Sequence, residues 1–395
     1  MKQQLLGGLS AAEFLAQYWQ KKPLLIRGAW PGFKDPISVD ELAGLAMEDG
    51  VRARLVQEKG GQRPWQLSHG PFKEKILRSL PKSHWTLLVS QAELWSEACA
   101  KLLDAFTFIP HWRADDLMIS FAPPQGSVGP HVDSYDVFLL QGQGHRHWQI
   151  QKDPDLRWRP GLDLRLLKSF KSEESWVLNP GDMLYLPPGV AHYGVAADAC
   201  LTYSIGFRAP AKQDLVADLF QLPESLAGLL QSEDLYTDPD LTLQDNPGEL
   251  SAAAVAKLKA MALAPLQHPT LLPRWLGAYV TKPGDLTAAP GGGRRPTAAR
   301  MDKLLSGHGA LWRSDAQRMV YLAPLGDELF FYVHGEEWVL HSALLPLVQQ
   351  LCAKRCQPGL ELAKSLPRGK RRQDGLTLLS RLVATGACYF GRDLA

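Results

Sequence analysis

Two histidines and an aspartate have the types and spacing of a metal site. His131 and Asp133 stand two residues apart in Gly129-Pro130-His131-Val132-Asp133, and His192 follows the turn Pro187-Pro188-Gly189. Alternate side chains of a strand share a face, so His131 and Asp133 can point into a barrel together while a second strand supplies His192. A 2-His-1-carboxylate set leaves coordination positions open, as an Fe(II) oxygenase needs. A lone His-X-Asp is common, but His192 completes the set, and we predict that these three residues are the metal ligands and the catalytic residues.

A cation follows the first two ligands. Residues 137–140 and 148–150 are predicted strands, joined through the glycine turn Gln141-Gly142-Gln143-Gly144, and Arg146 opens the second strand. If Arg146 and Trp148 face inward, a permanent charge points into the barrel and needs an anionic partner. The distal carboxylate of 2-oxoglutarate would suit that guanidinium. An exposed arginine in a His145-Arg146-His147 surface run fits the same spacing equally well.

These residues belong to longer motifs that carry a resemblance. The motifs are 129–138 around His131 and Asp133, 144–148 around Arg146, and 180–192, which begins Pro-Gly-Asp-Met-Leu-Tyr-Leu and ends at His192. They resemble the Jumonji-C family of 2-oxoglutarate oxygenases. Further segments are similar to one branch, the bacterial ribosomal oxygenases: 18–28, 35–38, 68–72, 115–121 and 204–210. The resemblance is dense over the first 210 residues and looser beyond them.

The resemblance implies an activity and a cofactor set. It assigns Fe(II) to His131, Asp133 and His192, with 2-oxoglutarate and O2 as co-substrates, and it assigns 2-oxoglutarate binding to Ser120 and Arg146. Enzymes of this branch hydroxylate an arginine, at C3, of 50S large-subunit ribosomal protein sixteen. The residues alone do not single out Ser120, because a hydroxyl in the apolar run 118–121 is more often a satisfied core group.

An arginine substrate would need its guanidinium held by carboxylates or aromatic rings near the iron. Tyr135 and Asp136 directly follow the His-X-Asp motif, and Asp115 and Asp116 are further away in sequence. We predict these four as substrate-binding candidates, although each could equally be a structural hydrogen-bonding group.

The pattern of elements predicts an α+β chain of three domains. Strand-like runs between Pro and Gly turns predict a Jumonji-C/cupin double-stranded β-helix, or jelly roll, over residues 1–210. Leucine-rich helices over 211–289 have little core of their own, so pairing with another copy would bury them, and the resembling family dimerises there. After the linker 290–296, residues 297–395 predict a winged-helix-like domain.

Composition and charge indicate which class of protein and which cellular location this sequence fits. The net charge of +2 argues against wholesale nucleic-acid binding, and no apolar run is long enough for a membrane span. The first residues lack the apolar stretch of a signal peptide, so we expect a cytoplasmic protein. Five cysteines favour buried, reduced thiols, although Cys352 and Cys356 could share one face of a helix. The basic run 368–372 is predicted to be a solvated loop, with no direct nucleic-acid binding.

The sequence is therefore compatible with three functions. The first is a hydroxylase of a ribosomal-protein arginine, acting as a homodimer. The second is a Jumonji-type oxygenase that acts on a histidine or a methyl-lysine of another protein. The third is a non-enzymatic cupin whose winged helix binds nucleic acid, and the complete set His131, Asp133, His192 and Arg146 counts against it.

Overall fold

The computed structural model describes residues 5–60, 64–221, 226, 235–242, 248–283, 295–307 and 309–391. The chain divides into two compact units, residues 1–209 and 210–395. Most of the linker predicted at 290–296, and parts of the helical segment predicted at 211–289, lie outside the described residues. The division into three domains stays a prediction.

The first unit consists mainly of antiparallel strands: β1 (Leu24–Ile26), β2 (Arg52–Glu58), β3 (Trp65–His69), β4 (Trp85–Ser90), β5 (Ala114–Ala122), β6 (His131–Val132), β7 (Asp136–Gln141), β8 (Arg146–Gln151), β9 (Glu174–Leu178), β10 (Met183–Leu186), β11 (Ala191–Ala196) and β12 (Cys200–Phe207). Eight of them form one sheet in the order β1-β10-β7-β12-β5-β4-β2-β3, and four form a second sheet in the order β6-β11-β8-β9. The predicted strands at 137–140 and 148–150 are therefore confirmed.

The two sheets face each other across an apolar layer. Odd-numbered residues of β7 and even-numbered residues of β10, such as Val137, Leu139 and Leu184, pack against Trp148 and Ile150 of the second sheet. The opposite side chains of β7, such as Phe138, belong to the larger core beneath the helices. Strand β7 is buried on both faces because helices cover one side of its sheet and the second sheet covers the other. This is the jelly-roll architecture that the sequence predicts.

Within the described residues, short α-helices accompany these sheets: α1 (Ala11–Gln17), α2 (Val39–Leu45), α3 (Glu74–Arg78) and α4 (Glu97–Leu103). Both α1 and α2 begin at a serine whose hydroxyl accepts the N–H of a glutamate three residues on, Glu13 and Glu41 respectively. Each glutamate bonds back to the serine N–H, which completes a capping box and fixes where the helix starts.

The second unit begins with the helices α5 (Lys212–Leu219), α6 (Ala252–Leu263) and α7 (Leu271–Thr281). Two three-stranded sheets follow, made from β13 (Ala310–Arg313), β14 (Met319–Tyr321), β15 (Glu328–Val333), β16 (Glu336–His341), β17 (Cys356–Pro358) and β18 (Cys388–Phe390). The helices α8 (Ala298–Ser306), α9 (Leu345–Ala353), α10 (Gly359–Lys364) and α11 (Arg371–Ala384) share a core with them. Helices among short antiparallel sheets agree with the predicted winged-helix-like domain.

Two local expectations for this unit are wrong. Helix α9 ends at Ala353, so Cys352 and Cys356 do not share a helical face. The basic run 368–372 is not wholly a loop, because α11 begins at Arg371, and Arg372 pairs with Asp302 at 2.7 Å. Among the described residues, none of the helices has the length and apolar character to cross a membrane.

Candidate metal centre

The three predicted ligands lie together at one end of the smaller sheet. Strands β6 and β11 pair antiparallel with His131 directly opposite His192, and Asp133 follows β6. The Nε2 atoms of His131 and His192 lie 4.0 and 3.6 Å from the carboxylate oxygens of Asp133. One ligand atom from each residue fits within 4.8 Å of the others. Strand pairing thus assembles two nitrogen donors and one oxygen donor around a common point.

Both imidazoles present the same nitrogen to that point. The Nδ1 of His131 lies 2.9 Å from the carbonyl of Gly129, and the Nδ1 of His192 lies 3.2 Å from that of Val190. A protonated Nδ1 would donate to these acceptors, which leaves the Nε2 lone pairs free for a metal. Burial, and then the neighbouring His131, lower the pKa of His192 to about 4, so this ring is neutral at neutral pH.

Glycine turns bring the ligand-bearing segments together. The N–H of Gly189 donates to the carbonyl of Asp133 at 2.9 Å, which ties the turn before His192 to the residue that supplies the carboxylate. Gly189 and Gly129 have φ angles of +87° and +79°, a region that residues with a Cβ rarely adopt. Two imidazoles and one carboxylate on neighbouring strands suit Fe(II), with positions left for further ligands.

Arg146 lies inside the barrel near the ligands. It is 2% exposed and shares a strand face with buried Trp148, while half-buried His147 lies on the other face, so the structure places it inward and not in an exposed run. Its Nε and Nη2 atoms have no hydrogen-bond partner among the residues that the structure describes. A buried arginine with free donors requires an anion. The far carboxylate of 2-oxoglutarate meets that requirement, and Arg146 is the residue here that would hold it.

Ser120 faces the same interior from the larger sheet. It is 4% exposed and lies opposite Leu88 of β4 and Thr202 of β12. Small side chains flank this end of the barrel, where Ala122 and Cys200 pack against Ala196, and Ala196 is the register partner of Arg146. Small residues at these positions leave room beside the guanidinium. The placement is compatible with the co-substrate role that the resemblance implies for Ser120.

Two of the four substrate candidates form the walls of a narrow gap above Gly206. A Cβ built on Gly206 would lie 3.4 Å from Asp116 Oδ1 and 3.6 Å from the ring of Tyr135. Burial, then the charges of Asp133 and Asp116, raise the pKa of Tyr135. Burial and the adjacent Asp115 raise the pKa of Asp116 to about 6. A carboxylate facing an aromatic ring is a setting that suits a guanidinium.

The other two candidates have protein partners. Asp115 is exposed and its Oδ1 accepts from Arg208 Nε at 3.1 Å. Asp136 is fully buried, and its carboxylate accepts from Tyr185, Gln20 and Arg113. Its side chain lies on the face of β7 that the helices cover, because it alternates with Tyr135 and shares the face of Phe138. We therefore assign Asp136 to a structural network instead of to substrate contact.

The contact of the Trp148 indole with His192 is a feature that the sequence analysis did not identify. Its ring centroid lies 5.9 Å from that of His192, and the guanidinium carbon of Arg146 lies 5.7 Å from the ring. Gly194 lies directly opposite in β11, and a Cβ there would approach the indole to 2.6 Å. The spacing of two residues that puts Arg146 and Trp148 on one strand face was the sequence signal for this contact. Trp148 packs against both a ligand and the buried cation.

Two family models match this chain. A JmjC domain matches residues 101–215, which include the three ligands, Ser120 and Arg146. A ROXA-like winged helix matches residues 264–389. The second match begins ahead of residue 297, and α7 within it packs Gly277 against Tyr332 of β15.

Similar proteins and structures extend this likeness to the whole chain. Ribosomal protein uL16 3-hydroxylase of Escherichia coli (strain K12) is 39% identical over 277 residues, 69% of this chain and 72% of that protein. A probable ribosomal oxygenase of Haemophilus influenzae is 37% identical over 65% of this chain and 64% of that protein. The crystal structure of E. coli ycfD matches with a TM-score of 0.85 and 32% identity over 97% of this chain and 98% of that one. The same protein in complex with cobalt and 2-oxoglutarate matches with a TM-score of 0.83, again at 32% identity, over 97% of this chain and 99% of that one. With its fold and its ligand set, the chain belongs to the JmjC ribosomal oxygenase family.

Proposed function

We propose that this protein is an Fe(II)- and 2-oxoglutarate-dependent hydroxylase of an arginine in ribosomal protein uL16, the large-subunit protein sixteen. The observation that carries the proposal is a buried arginine with free donors beside a 2-His-1-carboxylate set: Arg146 near His131, Asp133 and His192. A barrel without this chemistry would not need to bury an uncompensated cation next to three metal-binding side chains.

In this proposal, His131, Asp133 and His192 hold the iron, and Arg146 and Ser120 hold the far carboxylate of 2-oxoglutarate. Iron with 2-oxoglutarate and dioxygen supplies the oxidising chemistry that inserts one oxygen atom into a C–H bond. The Arg146 guanidinium neutralises and orients the co-substrate. The neutral imidazole of His192 binds metal without first losing a proton, because its pKa is lowered to about 4. Trp148 fills the space behind both groups and excludes water from it.

Arginine is the substrate residue we favour, with C3 as its oxidised carbon. The gap above Gly206 supports this choice, because Asp116 would neutralise a guanidinium while the Tyr135 ring covers its face. Tyr135 follows the predicted ligand Asp133 by two residues along the chain, so a guanidinium held against its ring would bring a side-chain methylene towards the iron. The E. coli relative is named a uL16 3-hydroxylase, which supports the same protein and the same carbon.

Mass spectrometry of peptide products tests the activity. A uL16 peptide containing the target arginine is incubated with enzyme, Fe(II), 2-oxoglutarate and oxygen, and it should gain one oxygen on that arginine. A peptide with lysine in its place should remain unchanged, because an ammonium lacks the flat face that Tyr135 would cover. Oxidation of a histidine peptide instead, or equal oxidation of both peptides, would favour the second function of a Jumonji-type oxygenase with another target residue.

We also propose that the protein acts as a homodimer in the cytoplasm, where ribosomal proteins are made. Helix α6 carries an apolar stripe of Val255, Leu258 and Met261, which are 45%, 44% and 38% exposed, and none of its residues is buried. A second copy would cover this stripe. Leu258→Glu should lower the mass measured by light scattering to that of a monomer, whereas Lys259→Glu on the same helix should leave it unchanged. An unaltered mass for Leu258→Glu contradicts a dimer through this helix.

A further inference from the structure

The buried carboxylate of Asp136 joins three separate parts of the first unit. Its Oδ1 accepts from Tyr185 Oη at 2.6 Å, and its Oδ2 accepts from Gln20 Nε2 at 2.9 Å and Arg113 Nη2 at 3.2 Å. Tyr185 Oη in turn accepts the backbone N–H of Gln20 at 2.7 Å. These donors come from the segment after α1, the turn before β5 and strand β10. The start of strand β7 is therefore anchored to three elements at once.

The same network reaches the other wall of the gap above Gly206. Arg113 Nε donates to the carbonyl of Arg208, and the N–H of Arg208 donates to the carbonyl of Arg113. The Arg208 side chain then pairs with Asp115 at 3.1 Å. Asp115 directly precedes Asp116, so a continuous chain of contacts runs from Asp136 to the carboxylate wall of the gap.

We propose that Asp136 is a positioning residue for substrate, which holds Tyr135 and Asp116 at the separation that admits the arginine side chain. Asp136 and Tyr135 are adjacent on an extended strand and point to opposite faces, so fixing one carboxylate beneath the sheet fixes the ring above it. Arg113 and Arg208 transmit the same constraint to Asp115 and Asp116. The inference rests on the proposed function, because it takes the gap as the guanidinium site.

A role limited to stability would give a different result from a positioning role. Loss of stability lowers the amount of folded enzyme and scales every activity equally. If Tyr135 and Asp116 are displaced, the iron and 2-oxoglutarate sites stay intact, but the substrate carbon is no longer held in position for oxidation. Co-substrate would then be consumed without hydroxylation of the peptide, since a small displacement of a reacting group is enough to lower the rate of the productive step.

Asp136→Asn in the full-length chain tests the inference, with Asp182→Asn as its matched control. Asp182 is also buried, at 4% exposure, and accepts from Gly28 N, Asn179 N and Arg27. It directly precedes β10, at the opposite end of the β7–β10 pair from Asp136, since Met183 pairs with Leu140 and Leu186 with Val137. Each variant thus weakens one buried carboxylate network in the same domain, and only the first network reaches the gap.

The measured quantity is the succinate formed per hydroxylated peptide. In Asp136→Asn this ratio should rise severalfold and kcat/KM for the peptide should fall about 10- to 100-fold, with the KM for 2-oxoglutarate unchanged. Asp182→Asn should keep the wild-type ratio. A wild-type ratio in folded Asp136→Asn, or the same rise in Asp182→Asn, overturns the proposal. Tyr185→Phe removes a single donor and replaces Asp136→Asn if that variant does not fold, with a smaller rise expected.

Hydrogen exchange of the metal-free protein gives a second readout that needs no turnover. Amides of residues 113–117 and 133–137 should both exchange faster in Asp136→Asn and Tyr185→Phe than in wild type and Asp182→Asn. Acceleration of only one segment, or of neither, contradicts a network that holds both walls. If the wild-type enzyme oxidises no arginine peptide, the proposed function fails, while this exchange result still decides whether Asp136 holds the two walls.

Discussion

The co-substrate end and the substrate end of this barrel are built in opposite ways. At the co-substrate end, the Nε and Nη2 donors of the buried cation Arg146 have no hydrogen-bond acceptor in the described part of the chain. At the substrate end, the most deeply buried carboxylate, Asp136, is satisfied by protein donors, and half-buried Asp116 faces the gap. The contrast teaches that burial alone does not mark a binding residue. The residue to look for is one whose burial leaves an electrostatic requirement unmet.

Asp133→Ala should have the largest effect, because it removes the one anionic ligand that both ends of the site depend on. We expect peptide hydroxylation to fall by about 1,000-fold or more, together with loss of tight Mn(II) or Fe(II) binding. Titration with Mn(II), followed by paramagnetic resonance, measures the binding. Normal metal affinity with normal turnover in this variant would remove Asp133 from the ligand set.

Arg146→Ala should impair the binding of 2-oxoglutarate and leave the other parts of the site unchanged. The KM for 2-oxoglutarate should rise about 10- to 100-fold, because a charge-assisted hydrogen bond in a buried site is lost. Metal affinity should stay close to wild type. Arg146→Lys keeps the charge without the planar pair of donors and should lie between the two. The idea fails if a structure with bound 2-oxoglutarate shows the far carboxylate on some other cation.

Substitutions at Gly206 should impair the binding of the peptide substrate and leave co-substrate binding unchanged. Leucine would fill the space between Asp116 and Tyr135, so kcat/KM for the arginine peptide should fall about 100-fold, with the KM for 2-oxoglutarate unchanged. Alanine is the matched control, because its Cβ would make only ordinary contacts at 3.4 to 3.6 Å and the backbone φ is not positive. Full activity of Gly206→Leu toward arginine would place the substrate elsewhere.

Asp116→Asn should have the smallest effect of these substitutions. It should change the free energy of unfolding by an amount that depends on pH. The pKa of Asp116 is raised from 3.8 to about 6, so the folded state binds this proton more tightly than the unfolded chain does. Its stabilising contribution is complete below about pH 4 and is lost as the pH rises through about 6. The asparagine variant should therefore be more stable than wild type at pH 7 to 8, by about 1 to 3 kcal/mol, and the difference should disappear near pH 3.5.

Denaturant unfolding at the two pH values measures this difference, and peptide kinetics complete it. Wild-type kcat/KM for arginine should fall as the pH drops below about 6, because protonated Asp116 no longer neutralises the guanidinium. If the variant is less stable than wild type at pH 8, then the charged Asp116 carboxylate does not destabilise the folded protein and its pKa is not raised.

The clustering of His131, Asp133 and His192 could be predicted from sequence, whereas the inward orientation of Arg146 was one of two alternatives that the spacing left open. A period of two along a strand puts His131 and Asp133 on one face, and it does the same for Arg146 and Trp148. Ser120 was identified only by resemblance, since nothing in an apolar strand marks its hydroxyl as functional. The sequence could not predict that Asp136 belongs to a structural network while Asp116 faces the gap. The partners of Asp136 lie 116, 23 and 49 residues away along the chain.

The contact between Trp148 and Gly194 has an evolutionary consequence. Any side chain at 194 would collide with the indole, so neither position can change freely while the other stays the same. A larger residue at 194 would require a smaller one at 148, and that exchange would open a space behind His192 and Arg146. Descendants of this chain are therefore expected to vary the two positions only as a pair, and a lineage that lost the tryptophan would have to refill the space beside His192 and Arg146 with another large side chain.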